Sequence, residues 1–241
     1  MLVLENLSKS YLKGAVKAVD ALNLTVKPGE IFGFLGPNGA GKTTTIKMLV
    51  GLLKPDSGRV LIKDYDMAKD DLAAKRLIGY VPDEPNLYDR LTGWEYLNFI
   101  ADVFGVGEAD RRRRLEELLS LFELENAVKD LTQSYSYGMK QKLALTAALV
   151  HAPDFWVLDE PMTGLDPKSS HLFKELMRKH CDEGKIVFFS THILEVAERL
   201  CDRVAIINGG KLVACGTMDE LRSRGSEQES LESIFLELTE K

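Results

Sequence analysis

Cysteine is scarce: Cys181, Cys201 and Cys215 are the only three in 241 residues. An odd count without a C-x-x-C spacing excludes a disulfide framework and a cysteine zinc site, and predicts a reducing compartment. Excess positive charge is missing too. With 31 Lys and Arg against 37 Asp and Glu the formal charge is −6, so nothing electrostatic favours nucleic acid or anionic lipid as the main partner. No stretch approaches the ~18–20 apolar residues of a membrane-spanning helix. The first residues, Met1-Leu2-Val3-Leu4-Glu5-Asn6, lack the basic and apolar regions of a secretory signal. What is present, 45% hydrophobic and 28% charged residues, suits a soluble globular chain with a sizeable core, and a cytosolic location is expected.

Apolar alternation predicts strands over residues 2–7 and 18–26, the second closed by the turn pair Pro28-Gly29. Residues 30–35 form a compact apolar run that breaks at Gly36. A helical pattern over residues 44–53 ends in a Pro-Asp-Ser-Gly turn, and strands follow at 59–62 and 78–81. From 83 to 150 the texture is helical. Trp94, Leu97, Ala101 and Phe104 recur at helical spacing, as do Leu115, Leu118, Leu119 and Phe122. Strands return at 155–158 and 186–189, then a hairpin turning at Asn208-Gly209-Gly210. Leu231, Ile234, Phe235 and Leu238 predict a short amphipathic helix. The order implies an α/β domain with an inserted α-helical subdomain.

Gly36-Pro37-Asn38-Gly39-Ala40-Gly41-Lys42-Thr43 fits G-x-x-x-x-G-K-[ST] between a buried strand and a helix, the context that gives this pattern its meaning. Its glycines let successive backbone N–H groups turn inward around phosphate oxygens. Lys42 offers a point charge to the β- and γ-phosphates, Thr43 a hydroxyl for Mg²⁺, and the helix start its positive dipole end. Residues 155–158 are an apolar strand ending in Asp159 and Glu160. A carboxylate at a strand tip suits a Mg²⁺ contact, here Asp159; the next one points elsewhere and can orient or deprotonate a water, here Glu160.

These motifs define a nucleoside triphosphatase. Tyr135-Ser136-Tyr137-Gly138-Met139-Lys140-Gln141-Lys142 narrows the kind, because it resembles the signature of ABC ATPases in the Y-S-x-G-M-x-Q form of bacterial exporter ATPases. The resemblance extends over nearly the whole chain. It implies a P-loop NTPase core with an N-terminal antiparallel β-subdomain and an inserted helical subdomain. The core would span residues 1–82 and 151–220, the helical subdomain 83–150, and a short helical tail 221–241. It implies that Ser136 and Gly138 bind the γ-phosphate held by an opposite subunit, that residues 36–44, through Thr44, line the ATP, and that Tyr11 stacks on adenine. Gly164-Leu165-Asp166-Pro167 resembles the loop that communicates between subunits, and His192 the switch histidine at the γ-phosphate. His151, His171 and His180 match nothing and are read as surface or packing residues.

Two positions depart from the family pattern. Asp83 stands where a glutamine is usual, a shorter and negatively charged group that can still face Mg²⁺ or its water. Tyr137 replaces the first signature glycine and must point away from the nucleotide. The run Arg111-Arg112-Arg113-Arg114 is flanked by Glu108, Asp110, Glu116 and Glu117 and is read as a solvated helix face, not a nucleic-acid site.

The implied function is an ATP-hydrolysing subunit of an ABC transporter, peripheral on the inner face of a bacterial membrane. Its partners would be a separate membrane permease and a second ATP-binding subunit, identical or paralogous. Residues 91–101 resemble the exporter branch, and the chain ends soon after its last hairpin, so export is expected. The rival is a soluble, non-transport ABC ATPase acting on a macromolecule; such relatives carry two cassettes or long coiled-coil insertions. A GTPase would need an N-K-x-D segment, which is absent.

Overall fold

The computed structural model describes residues 1–223 and 231–239. In chain order the first half forms β1 (Leu2–Tyr11), β2 (Val16–Val26), β3 (Ile31–Leu35), α1 (Lys42–Leu49), β4 (Ser57–Ile62), β5 (Tyr65–Asp66), α2 (Asp71–Arg76), β6 (Ile78–Val81), α3 (Gly93–Val103) and α4 (Glu108–Leu121). The second half forms α5 (Tyr137–Leu149), β7 (Phe155–Leu158), α6 (Pro167–Asp182), β8 (Ile186–Thr191), α7 (Leu194–Leu200), β9 (Arg203–Asn208), β10 (Lys211–Gly216), α8 (Met218–Arg222) and α9 (Leu231–Thr239). These gather into two units, Met1–Lys75 with Met177–Lys241, and Arg76–Leu176. Of the expected C-terminal tail, residues 224–230 and 240–241 lie outside the described residues.

In the first unit β2, β1, β4 and β5 make an antiparallel sheet in that order. Burial alternates along β2, the mark of a sheet covered on one face. The first strand runs to Tyr11, beyond the expected 2–7, because irregular register shifts carry its pairing with β2 through the polar stretch Ser8-Lys9-Ser10. A second set of strands runs β10, β9, β3, β8, with β3 parallel to both β8 and β9. All five residues of β3 and all six of β8 are buried, which explains the apolar runs at residues 31–35 and 186–189. Phe32 and Phe34 pack on Phe188 with ring centroids 5.8 and 5.4 Å apart. On this unit Leu231 and Ile234 of α9 join Ala197 and Leu221 in one buried cluster, with Phe235 and Leu238 partly covered.

In the second unit β6 lies parallel to β7 in register, Val81 opposite Leu158. The helix α3 starts at a capping box between Thr92 and Glu95 and buries Leu97 and Ala101. Trp94, expected on that inward stripe, is 44% exposed, and it is Gly93 beside it in the first turn that packs against Tyr135 and Val128. In α4, Leu115 and Leu119 are buried while Leu118 is half-covered. The arginine run is only half a solvated face. Arg112 and Arg113 are exposed and pair with Glu116 and Asp110. Arg111 instead turns to Asn98, Asp102 and the Val106 carbonyl, and Arg114 to the Val150 carbonyl at 3.0 Å, so two of the four tie helices together.

The histidines without a motif differ among themselves. His171 is exposed beside Glu175, and His180 is buried. His151 stacks on Phe104 with centroids 3.7 Å apart and planes at 11°, its Nε2 3.1 Å from the Ile78 carbonyl. The three cysteines are free thiols, and burial raises the pKa of each, so none is a poised nucleophile.

Candidate active site

On the first unit, the loop after β3 is shaped by what surrounds it. A side chain at Gly36 would collide with the Ile207 carbonyl of β9, and one at Gly41 with the Ala18 carbonyl of β2. Gly41 also has φ of 107°, which only glycine holds without strain. The loop is thus wedged against two strands, and Gly210 N–H donates to the Ala40 carbonyl at 3.0 Å to fix it further. Pro37, Asn38 and Gly39 form its outer part.

The helix α1 begins directly at Lys42. Its N-cap Gly41 supplies no side-chain acceptor, so the first-turn N–H groups carry no side-chain cap of the usual kind. The Thr45 hydroxyl donates to the Gly41 carbonyl at 2.9 Å and holds the turn closed. Thr43 is exposed and Thr44 partly so. Lys42 is only 7% exposed; its ammonium lies 2.7 Å from the Gly36 carbonyl and 3.4 Å from that of Pro37. A buried cation beside an N-terminus whose donors lack a side-chain cap is suited to a multiply charged anion.

His192 follows β8, exposed, at the same carboxyl end of the strands as this loop, because Leu35 and Thr191 are register partners. Tyr11 ends β1 opposite Val16 and is 42% exposed.

On the second unit, Asp159 and Asp83 leave the carboxyl ends of β7 and β6, which are neighbours, and Asp159 N–H donates to the Val81 carbonyl at 2.9 Å. Asp159 is 1% exposed. Burial, reinforced by the charges of Asp159 and Asp83, pushes the Tyr80 phenol up to about 12. Both carboxylates therefore bear on one partly buried hydroxyl. Glu160 has φ of 48°, a left-handed backbone that a non-glycine residue holds at a cost. That turn sends the chain off from the line of β7 directly after Asp159.

Ser136 caps α5, accepting from Met139 N–H at 3.3 Å, and is exposed. A Cβ at Gly138 would sit 2.6 Å from the Gly164 carbonyl, so the signature glycine is needed for a close backbone approach. Tyr137 points to the Asp83 loop, its hydroxyl donating to the Asp83 carbonyl at 2.8 Å. Asp166 accepts from Ser169 N–H and Oγ and from Lys142, and these bonds hold its carboxyl well below the usual range.

One residue of the signature was given no role from sequence, and one residue lay outside the motifs. Gln141 is fully buried and donates to the Pro161 carbonyl at 3.1 Å, tying α5 to the residue after Glu160. Tyr80 lies one residue before the end of β6, close enough for the charges of Asp159 and Asp83 to raise its pKa. The first closes the signature pattern, which did not reveal its bond to Pro161; nothing in the sequence marked the second.

The family model described as ABC transporter matches residues 19–163. The chain belongs to the ABC transporter family, as one of its ATP-binding subunits. The linearmycin resistance ATP-binding protein LnrL of Bacillus subtilis (strain 168) is 39% identical to this cassette over 224 residues, 93% of this chain and 71% of its own. A structure solved as the ATP-binding subunit of an ABC transporter matches with a TM-score of 0.94 at 37% identity, covering 99% of both chains. An ATP-binding cassette solved as a dimer in a post-hydrolysis state with ADP and Pi gives 0.82 at 29% identity, over 90% of this chain and 99% of its own. The α/β fold, with its antiparallel β-subdomain, is accordingly that of a P-loop NTPase cassette.

Proposed function

We propose that this cassette hydrolyses ATP with Mg²⁺ and, paired head to tail with a second ATP-binding subunit, drives export through a separate membrane permease. The observation that carries the reading is Lys42, a buried ammonium turned onto its own loop's carbonyls beside the start of α1. Triphosphate would replace those carbonyls as the stronger acceptor, with the loop N–H groups around it. Tyr11 would stack on adenine.

Glu160 is the general base: it takes a proton from the water that attacks the γ-phosphorus, while the bond from that phosphorus to the bridging oxygen breaks and ADP leaves. His192 holds the water and the γ-phosphate in line, and Lys42 stabilises the charge that develops. Mg²⁺ would be held by the Thr43 hydroxyl and the Asp159 carboxylate, with Asp83 toward its water, and would neutralise charge on the β- and γ-phosphates. The donor set fits that ion, which takes one or two carboxylates and leaves the rest to phosphates and water.

Ser136 and Gly138 would grip the γ-phosphate bound to the other subunit's Lys42, so each complete site needs two chains. The cassette dimer with ADP and Pi supports this pairing. Export is supported by the resistance function in LnrL's name and by the exporter-like residues 91–101. No described helix is long and apolar enough to cross a membrane. The permease is read as a separate polypeptide that holds the cassette at the inner face. Purification of the chain from solubilised membranes tests this: an integral membrane protein in stoichiometric amount is expected, and a soluble macromolecule in its place would overturn the transport reading.

A further inference from the structure

The two departures from the family pattern, Tyr137 and Asp83, touch each other. The Tyr137 hydroxyl donates to the main-chain carbonyl of Asp83 at 2.8 Å, across 54 positions of sequence. Its ring occupies the space in front of Gly164, where a side chain would overlap the ring atoms. Gly164 has φ of 78° and faces Gly138 in turn. One residue at the first turn of α5 therefore braces two segments. A glycine there would supply neither the ring nor the hydroxyl.

We propose that Tyr137 is a positioning residue for ATP hydrolysis, setting the Asp83 loop and the Gly164 turn against the helix that carries Ser136 and Gly138. This rests on the roles given above to Asp83, Glu160 and Ser136. The physical need comes from Asp83 itself. Its side chain is one carbon shorter than the usual glutamine, so the reach of its carboxylate depends on where its backbone sits. The Tyr137 hydroxyl bonds the main chain of Asp83, which fixes where that backbone sits. The carboxylates of Asp83 and Asp159 already act on the same Tyr80 hydroxyl, so a shift of this loop moves one relative to the other. On the other side, Gln141 holds the Pro161 carbonyl at 3.1 Å and Tyr137 covers Gly164, so the chain leaving Glu160 is held by α5 at both ends of its turn. Movement of the signature helix is thereby transmitted to this chain's own carboxylates.

The test is Tyr137→Phe in the full chain, which keeps the ring and removes only the hydroxyl. Loss of one such bond should lower kcat by ~3- to 10-fold and raise the Mg²⁺ concentration needed for half-maximal turnover, with KM for ATP within about twofold of wild type. The thermal unfolding midpoint should stay near that of wild type. In an Asp83→Asn background the same substitution should have no further effect, because the carboxylate it positions is gone. Wild-type kcat and Mg²⁺ titration in Tyr137→Phe would overturn the assignment. So would a lowered unfolding midpoint with an unchanged titration, or independent multiplication of the two effects. Wild-type turnover no faster than that of Glu160→Gln would instead remove the hydrolytic reading, and this proposal with it.

Discussion

The Lys42 ammonium lies 2.7 Å from the Gly36 carbonyl, so the cation of the phosphate loop closes on the residue that starts the loop. On the proposed function, triphosphate would replace this carbonyl as the partner of the buried charge. Lys42→Ala should leave the fold intact, because the glycine approaches to Ile207 and Ala18 shape the loop without it. ATP affinity should fall by ~10- to 100-fold, the scale of a lost charge-assisted contact. Titration calorimetry or a fluorescent ATP analogue reads this; affinity equal to wild type would remove residues 36–43 from the phosphate site.

The charges of Asp83 and Asp159, which follow adjacent strands, both raise the pKa of Tyr80. Asp83→Gln restores the family's usual residue, with longer reach and no charge. ATP binding should persist while the Mg²⁺ dependence of hydrolysis shifts. An unchanged Mg²⁺ titration would leave Asp83 without a part in the chemistry.

His151 gives a pH dependence unrelated to nucleotide. Burial lowers its pKa from 6.5 to about 4, the Ile78 carbonyl opposing this and Arg114 adding to it. Its Nε2 must donate to that carbonyl, which leaves Nδ1 buried without a partner among the described residues. Protonating Nδ1 would bury an unmatched charge. The unfolded chain takes up the proton first, so stability is complete above about pH 6.5 and is lost as pH falls toward 4, by up to ~3 kcal/mol. His151→Phe should keep the stacking on Phe104, lose about 1 kcal/mol at pH 7.5 with the Ile78 bond, and flatten this slope. Urea midpoints at pH 7.5 and 5 measure it; parallel slopes in the two proteins would contradict it.

Much of this was legible in the sequence. Parallel strands buried on both faces wrote themselves as unbroken apolar runs at residues 31–35 and 186–189, and a glycine loop between strand and helix marked its own ends. The arginine run misled in part, because charge balance along the sequence does not reveal that Arg111 reaches Asn98 and Asp102 of α3 and Arg114 the Val150 carbonyl at the end of α5. Trp94 misled because periodicity does not reveal that the small Gly93 beside it takes the packed position of the first turn. Tyr80, the Tyr137–Asp83 bond and the left-handed Glu160 were invisible, since each depends on chain segments brought together only by the fold.

The central claim is that ATP joins two chains through Lys42 of one and Ser136 and Gly138 of the other. Glu160→Gln keeps size and loses basicity, so hydrolysis should drop by ~100-fold or more while ATP stays bound. Size-exclusion chromatography with light scattering on this variant measures the claim directly. The expected result is a dimer with ATP and Mg²⁺ and a monomer without them, with Ser136→Arg added to it returning a monomer that still binds ATP. A Glu160→Gln chain that stays monomeric at saturating ATP and Mg²⁺, alone and with its co-purified membrane partner, would contradict it.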